Sequence, residues 1–151
     1  MIEAVNARNL PEALPLIRQY QEFYQVANIS DDHNRAFFGR FGLDNPFGCL
    51  FLFRDASGLA VGFATVYFSF SSTVAAKVGV MNDLFTLPDC RGRGIGKALI
   101  LHCLDYARTQ GAIRLQWATA TDNHTAQRLY NSLKTNLKPW LFYTYQGENP
   151  A

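Results

Sequence analysis

The residues best suited to chemistry lie in one short segment, Arg91–Lys97, which reads RGRGIGK. Its three glycines allow the backbone to approach a ligand closely and to adopt positive φ angles. A helix is predicted to follow, so the amides at its N-terminus would point outward at the positive end of the helix dipole. Together with the cations of Arg91, Arg93 and Lys97, these amides predict a site for a phosphate or pyrophosphate.

Two widespread glycine motifs do not fit this segment. A P-loop needs GxxxxGK followed by Ser or Thr, whereas Lys97 is followed by Ala98 and Arg91 stands where the first glycine would be. A dinucleotide fingerprint that began at Gly92 would need a small residue at Lys97. A merely tight connection between a strand and a helix is the structural alternative.

The elements around the segment predict an α/β fold with a mixed sheet, in the order β-α-α-β-β-β-α-β-α-β. Strands are predicted at Ile2–Ala7, Phe47–Phe53, Leu59–Phe70, Lys77–Leu87, Ile113–Ala118 and Trp140–Tyr145. Helices are predicted from Asn9 to about Tyr24, from Ser30 or Asp31 to near Gly42, from the glycines to Gly111, and from Asn123 to Leu133. The middle strands form an antiparallel meander, and a strand-helix-strand unit then encloses the glycines.

Two blocks of the chain resemble one family. Arg91–Gly96 fits Arg-x-x-Gly-x-Gly and, with Leu84–Pro88 before it, resembles the acetyl-CoA signature of the GNAT superfamily of N-acetyltransferases. Asn123–Tyr130, which reads NHTAQRLY, resembles the family's Asn-x-x-Ala-x-x-Leu-Tyr segment. The resemblance implies one acetyltransferase domain over residues 1–151, acetyl-CoA as co-substrate, and transfer of the acetyl group to the primary amine of a small molecule. An acyl-CoA-binding module with little turnover, acting as a sensor or subunit, is the alternative.

The resemblance also implies which residues bind the cofactor. These are Leu84, Phe85, Thr86, Arg91, Gly92, Arg93, Gly94, Ile95, Gly96, Lys97, Asn123 and Tyr130. The amides of the glycine-rich turn would hold the pyrophosphate. The strand that contains Leu84 and Thr86 would separate from its parallel neighbour, so that their backbone groups pair with the pantetheine arm. Asn123 would contact the pantetheine or cap the last helix, and one side chain could do both.

Tyr130 is the residue that the resemblance assigns to acid catalysis. A phenol with a pKa of about 10 stays protonated at neutral pH and can protonate the leaving sulfur. The alternative is that Tyr130 only packs in an apolar stripe with Ala126 and Leu133. The chain departs from the family just beyond this residue. The family often continues after the Tyr with Leu-Gly-Phe or Leu-Gly-Ala, whereas here Leu133 is followed by Lys134-Thr135-Asn136. Asn136 is predicted to supply a left-handed cap there.

The general base is left open by the sequence. Met81–Phe85, which reads MNDLF, resembles a segment of the spermidine/spermine and thialysine acetyltransferases, but Asn82 stands where those enzymes carry Glu. Asp83 remains as a group that relays a proton or binds a cationic acceptor, and a structural, hydrogen-bonded role is its alternative.

The acceptor is predicted to be a small cationic amine, such as a polyamine or a lysine-like amino acid. Tyr24 is the ring we expect to bind this cation, together with Tyr20, Phe23 and Phe37, although the same rings suit a core.

Composition bounds the remaining possibilities. The chain has 48% hydrophobic and 17% charged residues, as in an ordinary globular domain, and its net charge of +2 argues against a nucleic-acid partner. Its most apolar stretch, Leu59–Phe70, is too short to span a bilayer. The three cysteines have no spacing typical of a metal site or a disulfide framework, so we expect no metal and a cytoplasmic location. A homodimer is left open.

Overall fold

The structure is a computed structural model, and it describes residues 1–147. Its elements are β1 (Ile2–Ala4), α1 (Leu10–Phe23), α2 (Asp31–Phe38), β2 (Gly48–Arg54), β3 (Ala60–Ser71), β4 (Ala76–Thr86), α3 (Ile95–Thr109), β5 (Leu115–Gln116) and α4 (His124–Asn131). A short 3-10 turn, Pro88–Cys90, precedes α3. The chain divides into two compact units, one from Met1 to Ala118 and one that begins at Thr119. That the whole chain is a single domain stays a prediction.

The sheet has the strand order β1-β2-β3-β4-β5. The first four strands pair antiparallel with their neighbours along the chain, and β5 pairs parallel to β4. The turn between β2 and β3 is built by Asp55, whose carboxylate accepts from the amides of Ser57 and Leu59, while Gly58 takes a φ of +87°. The predicted meander and the strand-helix-strand unit that follows it are both confirmed.

The first unit buries its core on both faces of this sheet. Successive side chains of a strand point to opposite faces, so Leu50 and Leu52 pack with α1 while Phe51 contacts Tyr106 of α3, with ring centroids 5.0 Å apart. Gly79 permits the close approach of α3, because a Cβ there would lie 2.9 Å from the Cβ of Ala107.

The helix starts follow the sequence with one difference. Ser30 caps α2, and its hydroxyl accepts from the amide of His33 at 3.2 Å. Asn9 stands at the N-cap of α1 as predicted, but its side chain makes no capping bond. It holds the preceding loop instead, accepting from the Asn6 amide at 2.7 Å and donating to the Ala4 carbonyl at 3.1 Å.

The predicted last strand, Trp140–Tyr145, is wrong. The structure shows no strand over these residues, and Trp140 and Phe142 are 83% and 91% exposed. A strand needs a neighbour for its backbone groups. Within residues 1–147, the only backbone hydrogen bond that this segment makes is from the Trp140 amide to the carbonyl of Lys138.

The predicted left-handed cap at Asn136 is also wrong, since Asn136 is not among the residues with positive φ. Helix α4 ends at Ser132 in the right-handed region. Two hydroxyls hydrogen-bond carbonyls of its last turn. The Ser132 hydroxyl donates to the carbonyl of Leu129 at 2.6 Å, and the Thr135 hydroxyl donates to the carbonyl of Tyr130 at 2.9 Å.

Candidate active site

The second half of β4 has a strand neighbour on one side only. Strand β4 pairs with β5 at Gly79–Leu115 and Val80–Gln116, whereas it pairs with β3 along its whole length to Thr86. From Met81 onward, no strand in the described residues covers the other edge of β4. The pairing of the two parallel strands therefore ends before Leu84, as the expected separation requires.

Backbone groups of Leu84 and Thr86 face this open edge. The Leu87 amide donates to Val61 of β3 at 2.9 Å, and in an antiparallel ladder alternate residues point their N–H and C=O groups to opposite sides. The carbonyl of Thr86 already accepts from Arg91 Nε at 3.0 Å. The Leu84 groups and the Thr86 amide therefore remain for an extended ligand that would lie along β4.

The glycine-rich turn follows directly after β4. Gly92 and Gly94 adopt φ angles of +76° and +80°, and Gly94 is the N-cap of α3. A Cβ at either glycine would meet no protein atom within 4 Å, so open space lies in front of the turn and it is the positive φ that favours glycine at both positions.

The turn leaves a run of backbone amides without acceptors. The first helical bond of α3 is from the Ala98 amide to Gly94 at 3.0 Å, and within residues 1–147 no amide from Gly92 to Lys97 donates a hydrogen bond. Arg91 is fixed beside them by its bond to Thr86, with its guanidinium carbon 5.8 Å from the ring centroid of Phe85. The geometry is that of an anion site at a helix N-terminus.

Asp83 directly precedes Leu84 in β4 and lies beside a β-bulge. Thr65 pairs with Asp83 and Val66 with Met81, so Asn82 is the extra residue. Asp83 is only 7% exposed. Its Oδ2 accepts from the Thr65 hydroxyl and its Oδ1 accepts from Asn82 Nδ2 at 3.1 Å. These two hydrogen bonds fit the structural role that was the alternative for Asp83. The side chain lies on the face of the sheet that α1 covers.

Sequence reasoning missed the neighbours of Asp83. Burial, then the negative charge of Asp83, raises the pKa of Tyr67 to about 12, so its hydroxyl keeps its proton at neutral pH. The ring of Tyr67 lies 5.0 Å from that of Phe41. The signal was present in β3, where Thr65 and Tyr67 follow Phe63 at every second position and therefore lie on the same face of the strand.

The predicted aromatic cation site is arranged differently from the expectation. The Arg40 guanidinium lies over Phe37 at 5.1 Å from its centroid, so the protein's own cation occupies that ring. Tyr20 packs against the core, with its ring centroid 5.6 Å from that of Phe63 and 6.2 Å from that of Phe85. Tyr24 is half exposed and stacks edge-on against Tyr20 at 4.9 Å; its contact with a substrate stays a prediction.

The second unit carries the other predicted site residues. Asn123 is the N-cap of α4, and its Oδ1 accepts from the Ala126 amide at 3.2 Å, which confirms the capping interpretation. Tyr130 lies in the last turn of α4 and is partly buried. The cofactor contact of Asn123 and the acid role of Tyr130 stay predictions.

The described residues give little support for a metal site, a membrane span or a nucleophilic cysteine. Within residues 1–147, no group of three or more His, Cys, Asp or Glu side chains is placed to hold a metal ion. None of the helices in that range is long and apolar enough to cross a bilayer. Cys49, Cys90 and Cys103 are free thiols, and burial raises the pKa of Cys49 and Cys103 to about 12, so neither is a ready nucleophile.

Comparison with known proteins decides the family. A sequence profile of the acetyltransferase (GNAT) family matches residues 14–134. The chain belongs to the GNAT family. Its fold class and its assignment as an N-acetyltransferase, and hence an acyltransferase enzyme, are thereby confirmed.

Individual relatives agree with this assignment. An uncharacterized N-acetyltransferase of Bacillus subtilis, YhfO, is 35% identical, and the match covers 77% of this chain and 76% of YhfO. The thialysine N-epsilon-acetyltransferase of Mus musculus is 27% identical over 91% of this chain and 86% of the mouse enzyme. The aminoglycoside N-acetyltransferase AAC(6')-Iy, solved with a CoA-containing bisubstrate analogue, superposes with a TM-score of 0.79 over 96% of this chain and 97% of its own, at 22% identity.

Proposed function

We propose that this N-acetyltransferase uses acetyl-CoA and transfers the acetyl group to the primary amine of a small cationic molecule. The observation that carries the proposal is the continuity of two features: the open edge of β4 leads directly into the run of free amides from Gly92 to Lys97. An extended arm can pair with Leu84 and Thr86 while a pyrophosphate binds the turn, which is the shape and polarity of CoA.

Each part of the cofactor has residues suited to it in this proposal. The amides of Gly92 to Lys97 bind the pyrophosphate, and the cations of Arg91, Arg93 and Lys97 balance its charge. The guanidinium of Arg91 lies over the ring of Phe85, 5.8 Å from its centroid. Asn123 contacts the pantetheine while it caps α4, a role supported by its place in the block that resembles the family.

The chemistry is attack of a neutral amine on the thioester carbonyl. An alkyl amine with a pKa of about 10.4 is only about 0.04% neutral at pH 7, so a proton must be removed before attack. We assign the removal of this proton to the carboxylate of Asp83. Tyr130 donates a proton to the sulfur as the CoA thiolate leaves, a role supported by the Asn123–Tyr130 block.

The acceptor class rests on charge and on the relatives. Asp83 supplies a buried carboxylate, and the half-exposed Tyr24 offers a ring face to a cation. The named relatives act on thialysine and on aminoglycosides, which are small amines. A protein tail or an aromatic amine is not favoured by these features.

Thiol release from acetyl-CoA tests the proposal directly. Spermidine, lysine analogues, aminoglycosides and arylamines are compared at equal concentration, alone and in competition. We expect release with the cationic alkyl amines and little with arylamines. A clear preference for arylamines would overturn the acceptor class. Tight CoA binding without release for any amine would favour the binding module instead.

Two further parts of the proposal concern where and in what form the enzyme works. Its three free thiols suit a reducing cytoplasm.

A homodimer is supported by an exposed segment after α4 that contains six large apolar or aromatic side chains. Each of the six is at least 80% exposed: Leu137, Trp140, Leu141, Phe142, Tyr143 and Tyr145. Light scattering after size exclusion gives the mass that decides this point.

A further inference from the structure

Asn82 is the polar residue that the β-bulge leaves without a partner in β3. Thr65 pairs with Asp83 and Val66 with Met81, so Asn82 lies between two paired residues. Met81 and Asp83 are 4% and 7% exposed, whereas Asn82 is exposed. It also lies beyond Val80, the last residue of β4 that pairs with β5. The bulge therefore presents one polar side chain to solvent where the open edge of β4 begins.

The orientation of the Asn82 amide is fixed by its neighbour. Asn82 Nδ2 donates to Asp83 Oδ1 at 3.1 Å. A carboxylate only accepts hydrogen bonds, and the donors of an amide are on its nitrogen alone. Exchanging the oxygen and nitrogen of Asn82 would place two acceptors against each other. The nitrogen therefore faces Asp83, and Asn82 Oδ1 faces away from it.

Asn82 Oδ1 is the acceptor that this group offers to a ligand. Both carboxylate oxygens of the buried Asp83 already accept hydrogen bonds, one from Thr65 and one from Asn82. In the part of the chain from residue 1 to residue 147, no donor reaches Asn82 Oδ1. An amide oxygen accepts from the N–H groups of an ammonium and of a neutral amine alike.

The position of Asn82 along β4 matches the direction of the cofactor in the proposed function. The pyrophosphate binds the glycine-rich turn, and the arm then pairs first with Thr86 and next with Leu84. The thioester end of the arm is therefore directed toward Asn82. Two residues of a strand span about 7 Å, and a hydrogen bond from Asn82 Oδ1 extends about 3 Å. A nitrogen bound there lies within reach of a thioester at Leu84.

We propose that Asn82 Oδ1 binds the nitrogen of the acceptor amine and that Asp83 is the positioning residue that orients this amide. The inference rests on the proposed function and names the side chain that receives the acceptor. Asn82 does not titrate and transfers no proton; it holds the nitrogen beside the thioester. A carboxylate has about four lone-pair sites, so the two hydrogen bonds to Asp83 leave sites for the proton that the proposed function assigns to it.

The contact is tested with Asn82→Leu, which has nearly the same size and no polar atoms. We expect the KM for an alkyl amine to rise about 10-fold, the scale of one hydrogen bond to a charged group. The KM for acetyl-CoA and the melting temperature should stay near the parent values. Asn82→Ala serves the same purpose where the leucine variant fails to fold. Gln19→Leu is the matched control, because it removes an exposed amide of α1 and should leave both KM values unchanged.

The positioning role of Asp83 is tested by a double-mutant cycle on binding alone. Calorimetry gives the amine affinity of CoA-saturated protein for the parent, Asn82→Leu, Asp83→Asn and the double variant. In the Asp83→Asn background the amide is no longer held in one orientation, so Asn82→Leu should cost less than about threefold there. Equal costs in the two backgrounds would show that Asp83 does not orient Asn82.

Two results would overturn the contact itself. One is a parental amine KM in folded Asn82→Leu, and the other is an equal rise in the KM values for the amine and for acetyl-CoA, which a general distortion of β4 would produce. Failure of the proposed function has a different signature, since the parent enzyme would then release no thiol with any amine.

Discussion

The glycine-rich turn and the Asp83 cluster, which consists of Asp83, Thr65 and Asn82, satisfy their polar groups in opposite ways. In the turn, the amides from Gly92 to Lys97 have no acceptor within residues 1–147. In the cluster, both Asp83 oxygens have donors, and no buried side-chain N or O atom of the described residues lacks a partner. The backbone of the turn therefore keeps its donors available for an anion, whereas the side chains of the cluster satisfy one another's hydrogen bonds without a ligand.

The largest expected effect comes from filling the turn. Gly94→Val places a β-branched side chain at a φ of +80° and into the space in front of the amides. We expect CoA affinity to fall at least on the order of 100-fold while the fold is retained, because strain at one residue costs about 1–3 kcal/mol. Calorimetry on the folded variant measures the affinity.

Gly58→Val is the matched control for that variant. Gly58 has a φ of +87° and also meets no atom within 4 Å, but it lies in the turn between β2 and β3. Both variants should lower the melting temperature by similar amounts, and only Gly94→Val should lose CoA. Equal CoA affinity in the two folded variants would contradict the phosphate site.

Removing the Tyr130 hydroxyl should separate catalysis from binding. Tyr130→Phe is expected to lower kcat by about 10- to 1000-fold with little change in the KM for acetyl-CoA, since water substitutes in part for a lost general acid. Tyr143→Phe, at a residue that is 84% exposed, serves as the control. Parental turnover by Tyr130→Phe, under conditions in which chemistry is rate-limiting, would leave Tyr130 as a packing residue only.

The smallest expected effect distinguishes geometry from charge within the turn. Arg91 is fixed by Thr86, whereas Arg93 makes no hydrogen bond within residues 1–147. Lysine keeps the charge but not the planar fork, so Arg91→Lys should raise the KM for acetyl-CoA by about three- to tenfold and Arg93→Lys by less. Initial rates at fixed ionic strength measure both values. Equal effects would mean that only the charge matters.

The turn could be predicted from sequence because everything it needs is contiguous. The glycines, the cations and the helix that follows occupy one stretch of chain, and each acts through local backbone conformation. The same holds for Asn123, whose capping bond reaches only to Ala126.

The Asp83 cluster could be predicted only in part. Asp83 itself was identified, but Thr65 is 18 residues away and meets it through strand pairing. That pairing depends on a bulge at Asn82, and a shift of one residue would turn Asp83 to the other face. Trp140–Tyr145 failed for a related reason: its aromatic composition is typical of a strand, but composition does not supply a neighbouring strand.

The amides of the turn offer the most direct test of the account. Titration of ¹⁵N-labelled protein with CoA, followed by amide chemical shifts and hydrogen exchange, observes the groups from Gly92 to Lys97 individually. We predict that these amides show the largest shift changes in the first unit and that their exchange slows at saturation. Saturating CoA binding, established by calorimetry on the same sample, with the Gly92–Lys97 amides unmoved would contradict the central claim.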